Sequence, residues 1–500
     1  MDPARPSLAV LGLDIISVIM DMLQDTSPSS VASMALEGGS DAAKRRLLQM
    51  EKQDLLPAIR SLTVDDNTSS RQPRDDTMHI LCRLLPQMTG LRDLTWSSNF
   101  MPAKIRAALE SCPSVRLHTR FDEYRALTQV NKPCNLVTLA GSRNLSSLQV
   151  VYEEERDEYC GLGFTGGEHP AALEELVLRH YPFGRACLPR VMGSVNYPSE
   201  MDEMDYWAAH FDWSRLRRLK TPSLQLVRQI LPRLTALQDL SLQIHYAGDE
   251  VVGAVLLEVP ASLTSITMPF FGDTTLQGIL RHAKTLRKLD LHQLYDHGWD
   301  SWYERAERTR RWCQMLRDEC SLVEELSLDV VRDGAWPFEL LDTLASFPRL
   351  RQLDIWLQLG AEGSTTEPKM TFEAAAMLYK HLEAHGQQQG LSLDRIGFHS
   401  GMAWTVGRGY LTSGGGMGWV EDQCMAFVCM PSEREDERVL GRFTISCPVL
   451  SARDDQVKEV VANARAARLE MENESEMWQS LTIALDGPIL QEFIGCMMFD

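Results

Sequence analysis

One short apolar motif recurs along most of this chain and constrains its fold more than any other feature of the sequence. In each copy, two residues separate the first apolar position from the second, and one residue separates the second from the third. The best-spaced copies follow one another after about 23 to 27 residues, a period typical of repeat proteins. A copy that keeps only two positions lies at Leu216 and Leu219. Complete copies begin at Ile59, Leu91, Leu145, Leu173, Leu237, Leu263, Leu286, Val323, Leu350 and Leu393.

Helical periodicity precedes several copies of the motif. Leu276, Ile279 and Leu280 fall on one helical face just before the copy at Leu286. Each unit is therefore predicted to be a helix, a tight turn and a strand. Stacked units predict an α/β leucine-rich-repeat solenoid, with parallel strands on the concave side and helices on the convex side. A doubly wound α/β domain is the alternative, but such domains do not repeat one strand motif this often.

Alternation along each strand predicts which residues face away from the core. The residue between the last two motif positions is expected on the concave face, and the residue two further along lies beside it. In the C-terminal repeats these positions are acidic and aromatic, and like charges on neighbouring strands favour a basic partner. We therefore predict a basic or arginine-containing peptide substrate, with Trp356 as a stacking anchor. The predicted substrate-binding residues are Asp290, His292, Asp329, Asp354 and Trp356.

Two insertions between repeats are rich in aromatic residues. One runs from Tyr181 to Trp213, and the other contains Trp299, Trp302 and Trp312. They are interpreted either as segments that dock on the repeats or as a rim that contacts ligand, because exposed Trp and Tyr are favoured interface anchors. After about residue 401 the motif stops. Two strands, "CMAFVCM" and "GRFTISC", and a charged helix over residues 454–477 predict a cap for the last repeat.

The composition narrows the functional classes. Lys plus Arg number 50 against 69 Asp plus Glu, which gives a formal charge of −19. So acidic a protein is a poor candidate for sequence-independent nucleic-acid binding. The 11 cysteines include no CxxC pair, which favours reduced thiols in the cytoplasm or nucleus over a disulfide framework. We expect a non-enzymatic protein with no cofactor, no metal and no membrane contact.

Two partial motifs do not change that expectation. The spacing Gly161-x-Gly163-x-x-Gly166 matches the dinucleotide fingerprint, but neither an apolar strand before it nor a helix after it is indicated. His381 and His385 are four residues apart, yet the metalloprotease order His-Glu-x-x-His is absent, and a solvent-facing helix is expected there.

An amphipathic helix is predicted near the start of the chain, in "LGLDIISVIMDML". Ile15, Ile19 and Leu23 share one face, and Asp14 can cap the N-terminus. Asp14 and Asp21 interrupt the run, so neither a signal peptide nor a membrane span is indicated. This helix must pack on the rest of the chain or on a partner.

With this helix and the repeats, the chain resembles the F-box/leucine-rich-repeat proteins, especially the divergent ones abundant in filamentous fungi. The family's motif opens with Leu-Pro-x-Glu and paired aliphatic residues. Here Gly12 replaces the Pro and Asp14 the Glu, and Val31, Met34 and Leu36 stand for its second half. The resemblance implies three parts: an F-box-like helical segment at 1–50, the repeats at 51–400 and the cap at 401–500. The residues it assigns to adaptor binding are Leu11, Asp14, Ile15, Ile16, Ile19, Met20 and Leu23.

The resemblance also implies a function. Family members dock their F-box helices on the Skp adaptor of a cullin-type ubiquitin ligase and hold a protein substrate on their repeats. The expected role is therefore that of a substrate receptor. The alternative is a repeat scaffold or ligand-binding module without a ubiquitin role, in which residues 15–23 simply cap the first repeat.

Overall fold

The structure is a computed structural model that divides into two compact units, Met1–Asp290 and Leu291–Asp500, and each is described by itself. The residues it describes are 33–37, 41–65, 75–97, 101–122, 142–151, 172–179, 181, 203–243, 248–268, 272–292, 302–330, 334–357, 368, 370–400, 425–434 and 442–447.

Ten parallel strands run through the described part of the first unit in strict chain order. Each strand pairs with the one before it and the one after it, from β1 to β10. This order is that of stacked repeats, whereas a doubly wound sheet reverses its strand order at a switch point. The strands are β1 (Ser33–Glu37), β2 (Ser61–Asp65), β3 (Asp93–Ser97), β4 (Arg116–Asp122), β5 (Leu145–Val151), β6 (Glu175–Arg179), β7 (Arg218–Thr221), β8 (Asp239–Leu242), β9 (Ser265–Thr267) and β10 (Lys288–Leu291).

Short helices connect these strands. Three connections end in a 3-10 turn that contains a Leu-Pro pair, at Leu56–Ala58, Leu85–Gln87 and Leu231–Arg233. Proline is tolerated there because it occupies the first turn, where a backbone N–H has no helical partner. The helices are α1 (Asp41–Lys52), α2 (Asp75–Leu84), α3 (Ala103–Glu110), α4 (Glu203–His210), α5 (Leu224–Ile230), α6 (Asp249–Glu258) and α7 (Asp273–Leu280).

In the described part of the second unit, three further parallel repeat strands precede an antiparallel pair. Strands β11 (Glu325–Val330), β12 (Gln352–Leu357) and β13 (Arg395–Ser400) are parallel. Strands β14 (Met425–Pro431) and β15 (Phe443–Ser446) are antiparallel, which confirms the two strands predicted for the cap. The described helices are α8 (Trp302–Glu319), α9 (Phe338–Ala345) and α10 (Phe372–Gln388). The charged helix expected at 454–477 lies outside the described residues.

The motif residues form the core, as predicted. None of the positions in the complete copies is more than 8% exposed, from Ile59 to Phe398. Each fully buried Leu, Ile or Val contributes about 1.5–3 kcal/mol to stability. Because the motif falls on alternate strand residues, the residues between its last two positions lie on the opposite side of the sheet, here called the polar face.

Three repeats differ from the sequence-based expectation. The register places Met34 and Leu36 of β1 beside Leu62 and Val64, so this segment is a repeat strand and not the second half of a helical F-box. Two further copies carry threonine at the third position of the motif. Thr119 in β4 and Thr221 in β7 are buried, and their hydroxyl groups are hydrogen-bonded.

Among the described residues, no helix combines the length and apolar character needed to cross a membrane.

Candidate ligand-binding face

The polar face of the first unit consists of two rows of side chains that run across the strands. A bulge between Leu117 and His118 shifts the strand register. Thr63 and Thr95 therefore align with His118 and Ser147 and not with Gln149, which occupies the same motif position in its own repeat. The first row is Thr63, Thr95, His118, Ser147, Glu175, Arg218, Asp239, Ser265 and Lys288. The second row is Arg120, Gln149, Val177, Lys220, Ser241, Thr267 and Asp290.

Charges in the first row largely neutralise one another. Arg218 lies between Glu175 and Asp239 and forms an ion pair of 3.1 Å with each. Hydrogen bonding to Glu175, together with the charges of both carboxylates, outweighs burial and raises the pKa of the Arg218 guanidinium. Arg218 is 57% exposed, so each pair contributes at most about 1 kcal/mol. This row therefore supports strand register more than it offers free charge to a ligand.

The second row contains a lysine, Lys220, that forms no ion pair among the described residues. Lys220 pairs in register with Val177 on one side and Ser241 on the other. Burial lowers the pKa of its ammonium group, and the positive charge of Arg179 lowers it further. Asp239 and the predicted substrate residue Asp290 act in the opposite direction. The first unit thus contains one half-buried lysine that senses the charges of Asp239 on β8 and Asp290 on β10 without forming an ion pair with either.

The second unit gathers four of the five predicted substrate-binding residues into one cluster. The indole of Trp356 stacks on His292 at 3.8 Å and on His399 at 4.1 Å between ring centroids, with interplanar angles of 11° and 15°. Two imidazoles that close to one centroid would overlap on a single face, so they cover both faces of the indole. Trp356 also donates a hydrogen bond from Nε1 to Ser327 Oγ at 3.2 Å.

Each imidazole of this stack is held by a carboxylate. His292 Nδ1 lies 2.6 Å from Asp329 Oδ1, and His399 Nε2 lies 2.7 Å from Asp354 Oδ1. The other oxygen of Asp354 accepts a hydrogen bond of 2.6 Å from Arg395. Burial opposes ionisation of Asp354, but the hydrogen bonds from His399 and Arg395 and their charges outweigh it and hold the carboxyl pKa below its ordinary value.

A glycine makes room for this clamp. Arg395, Gly397 and His399 alternate along one face of β13, and Asp354 pairs in register with Gly397. A Cβ atom at Gly397 would overlap the Asp354 carboxylate and lie 2.6 Å from His399 Nε2. The carboxylate therefore occupies the space of the missing side chain and reaches both neighbours. We name Asp354, Arg395, Gly397 and His399 the β13 clamp.

This geometry revises part of the sequence prediction. Asp329 and Asp354 have partners within the chain, so the repulsion that was expected to favour a basic ligand is largely relieved internally. Trp356 cannot stack on an incoming guanidinium, because imidazoles cover both faces of its ring. Sequence reasoning missed Arg395 and Gly397, although the alternation Arg-x-Gly-x-His on a predicted strand was a usable signal.

The aromatic insertion of the first unit docks on the repeats. Tyr181, Trp207, Phe211 and Trp213 are each at most 4% exposed, and neighbouring rings lie 5.3–5.6 Å apart. The docking interpretation is therefore confirmed for these residues. In the second insertion Trp312 is buried, whereas Trp299 and the side chain of Trp302 lie outside the described residues.

Other reactive groups in the described residues have structural surroundings. His381 and His385 both contact the Asp342 carboxylate, at 2.7 and 3.4 Å, so the two histidines face α9 as well as solvent. Burial raises the pKa of the Cys313 thiol to about 12, which makes it unreactive. In the part of the chain that the structure describes, no three metal-ligating residues are grouped around a common point.

Two predicted features fall outside the described residues. They are the adaptor-binding helix at residues 11–23 and the glycine pattern from Gly161 to Gly166.

Comparisons with known proteins give little further information. Neither a protein-family model nor a curated protein sequence matches this chain. One similar solved structure is described as the crystal structure of a TLR13–ssRNA13 complex, with 16% sequence identity and a TM-score of 0.24. The alignment covers 66% of this chain and 43% of that chain, so this chain spans less than half the length of that structure.

Proposed function

We propose that this protein is a binding module rather than an enzyme, and that the polar face of its repeats recognises a polypeptide. The observation that carries the proposal is the order of the polar face in the second unit. Six side chains on neighbouring strands are fixed by mutual stacking and hydrogen bonds, namely His292, Asp329, Asp354, Trp356, Arg395 and His399. A pre-organised surface loses little side-chain entropy on binding, and this favours specific recognition.

A basic ligand remains the best match to this cluster. Two carboxylates and one guanidinium leave a formal charge of −1 when both imidazoles are neutral. The carboxylates are 24% and 25% exposed, so an arginine or lysine of a ligand can reach their outer edges. The contact would be with carboxylate edges and not with the face of Trp356.

Capture of a labelled basic peptide tests this proposal. We expect an octapeptide of alternating Arg and Gly to bind the wild type more tightly than the matching Gln–Gly peptide. The doubly substituted Asp329→Lys/Asp354→Lys protein should lose that preference. Asp318→Lys is the control, because Asp318 lies at the exposed end of α8. Equal binding of both peptides by the wild type would contradict the proposal.

We further propose that this binding module delivers its ligand to a cullin-type ubiquitin ligase through the Skp adaptor. The support is the spacing of Leu11, Ile15, Ile19 and Leu23, which matches the first half of the F-box pattern. Co-precipitation with a Skp adaptor should succeed for the wild type and be lost in Ile16→Asp or Ile19→Asp, because burying an unpaired charge costs several kcal/mol. Ser17→Asp, on the polar side of the same helix, is the matched control.

The alternative function is a repeat scaffold with no ubiquitin role. Hydrogen exchange on residues 15–23 separates the two functions. Strong protection in the isolated protein favours the scaffold, whereas protection gained only after addition of adaptor favours the receptor.

A further inference from the structure

The polar face of the first unit contains three groups that no contact among the described residues explains. Arg179, Lys220 and Ser241 lie on the adjacent strands β6, β7 and β8. Among the described residues, neither Arg179 nor Lys220 has a carboxylate within ion-pair distance, whereas Arg116 in β4 and Arg218 in β7 each pair with carboxylates. Burial lowers the pKa of Lys220, and repulsion from the neighbouring Arg179 lowers it further.

The third group is a buried hydroxyl. Ser241 is only 7% exposed, and its Oγ has no hydrogen-bond partner among the described residues. Leu240 and Leu242 point into the core, so strand alternation directs Ser241 to the polar face. A buried hydroxyl without a partner costs about 1–3 kcal/mol, which a bound acceptor would recover. In register, Ser241 lies between Lys220 and Thr267, about 4.8 Å from each strand.

We propose that Arg179, Lys220 and Ser241 form a subsite for a single carboxylate of an acidic peptide segment. Two cationic donors and one hydroxyl match the two oxygens of one carboxylate. Ser241 is the register neighbour of Lys220, so a carboxylate held by the ammonium group lies beside the hydroxyl. This inference rests on the proposed function, since it assigns a ligand of the same class, a polypeptide, to the polar face of the first unit.

Charges around the subsite limit the number of negative charges that a ligand can place there. Glu175 and Asp239 occupy the first row on either side of Arg218, and Asp290 ends the second row. A nucleic-acid strand would pass its successive phosphates over these carboxylates, and the whole chain carries a formal charge of −19. One carboxylate on an otherwise uncharged segment avoids this repulsion. The charge distribution therefore favours an acidic peptide over a nucleic acid.

Fluorescence anisotropy with labelled octapeptides tests the subsite. The full-length protein is titrated against a peptide with one central Glu in a Gly–Ser background and against the matched Gln peptide. We expect the Glu peptide to bind the wild type at least tenfold more tightly. Lys220→Met, which keeps the aliphatic stem, should remove this preference, and Ser241→Ala should reduce it. Lys284→Met is the control, because Lys284 is exposed in the turn after α7.

A conservative variant adds a readout that a purely structural role would not change. Wild-type preference for the Glu peptide should fall as pH rises through the lowered pKa of Lys220, because the ammonium group loses its charge. Lys220→Arg should keep the preference at high pH.

Several outcomes would overturn the inference. They are an unchanged preference in Lys220→Met, the absence of any preference in the wild type, and stronger binding of an octathymidine than of the Glu peptide. If the Arg–Gly peptide still binds in such a case, the subsite is wrong while the proposed function stands. If no peptide binds the wild type, both fail.

Discussion

The polar faces of the two units are both built on parallel strands, but their charged side chains are arranged differently. In the first unit Arg218 alternates with carboxylates in an exposed row, and Lys220 forms no ion pair within the described part of the chain. In the second unit the β13 clamp and the stack on Trp356 place Asp329, Asp354 and Arg395 against partners. The repeat motif determines the core of both units but leaves the polar face free to diverge. If the proposed function holds, binding specificity is therefore set by residues that the motif does not constrain.

The largest expected effect tests whether the cores of the two units are equivalent. Leu219 in the first unit and Leu353 in the second are fully buried at the same motif position. Leu219→Ala and Leu353→Ala should each lower the free energy of unfolding by about 2–5 kcal/mol, measured by urea denaturation with circular dichroism. Leu48→Ala, at an exposed position of α1, should change it by less than about 0.5 kcal/mol. If either core substitution lowers the free energy of unfolding as little as Leu48→Ala does, the two cores are not equivalent.

The β13 clamp should be the most sensitive feature of the polar face. Gly397→Ala places a Cβ atom against the Asp354 carboxylate and should destabilise the protein by about 1–3 kcal/mol. Gly386→Ala is the control in the same unit, since its Cβ would meet only ordinary contacts at 3.6 Å or more. Removal of a helical glycine there should be neutral or stabilising. Similar melting temperatures for the two variants would show that the carboxylate does not occupy the space above Gly397.

The sequence predicted the repeats better than the polar face. Motif positions such as Leu237 and Leu350 could be assigned to the core from the sequence, because apolar residues at this spacing lie on the inner side of each repeat. The copy with Thr119 at its third position was missed, and the copy at Leu216 and Leu219 was recognised without its third residue, Thr221. A threonine with a hydrogen-bonded hydroxyl can be buried without an apolar signature. Met34 and Leu36 carry the correct spacing but were assigned to the F-box because they follow its first helix.

The partners of the candidate site could not be predicted for a geometric reason. Asp354 and Trp356 were found from strand alternation alone. Arg395 and His399, which engage Asp354, lie more than forty residues away along the chain. Their contact depends on the register between β12 and β13, and one residue of slip would reverse every side chain. The bulge at Leu117 shows that such shifts occur in this chain.

Acid titration should show a smaller effect confined to the clamp. The folded-state pKa of Asp354 lies below its ordinary value of 3.8, so the folded protein favours the ionised form. The resulting stabilisation is fully present above that value and is lost as pH falls through the lower folded-state pKa. Asp354→Asn should therefore flatten the decrease in melting temperature below pH 4, whereas Asp318→Asn should keep the wild-type profile. Identical profiles for wild type and Asp354→Asn would contradict the clamp.

The smallest effect is expected in the exposed row of the first unit. Arg218→Gln removes two ion pairs but should cost no more than about 1 kcal/mol, because solvent and salt screen the charges. Arg395→Gln should cost more, since Arg395 is half as exposed and its partner Asp354 would remain partly buried. Thermal denaturation at low and high salt measures both. A larger loss of thermal stability for Arg218→Gln than for Arg395→Gln would contradict the proposed difference between the two faces.

The most direct test of the account pairs two peptides with two variants. Anisotropy titrations of the Arg–Gly octapeptide and of the single-Glu octapeptide are compared for the wild type, Lys220→Met and Asp329→Lys/Asp354→Lys. The account predicts that Lys220→Met loses only the preference for the Glu peptide, and that the double substitution loses only the preference for the Arg peptide. If both peptides bind and neither variant alters their binding, the result would contradict recognition of polypeptides by the polar face.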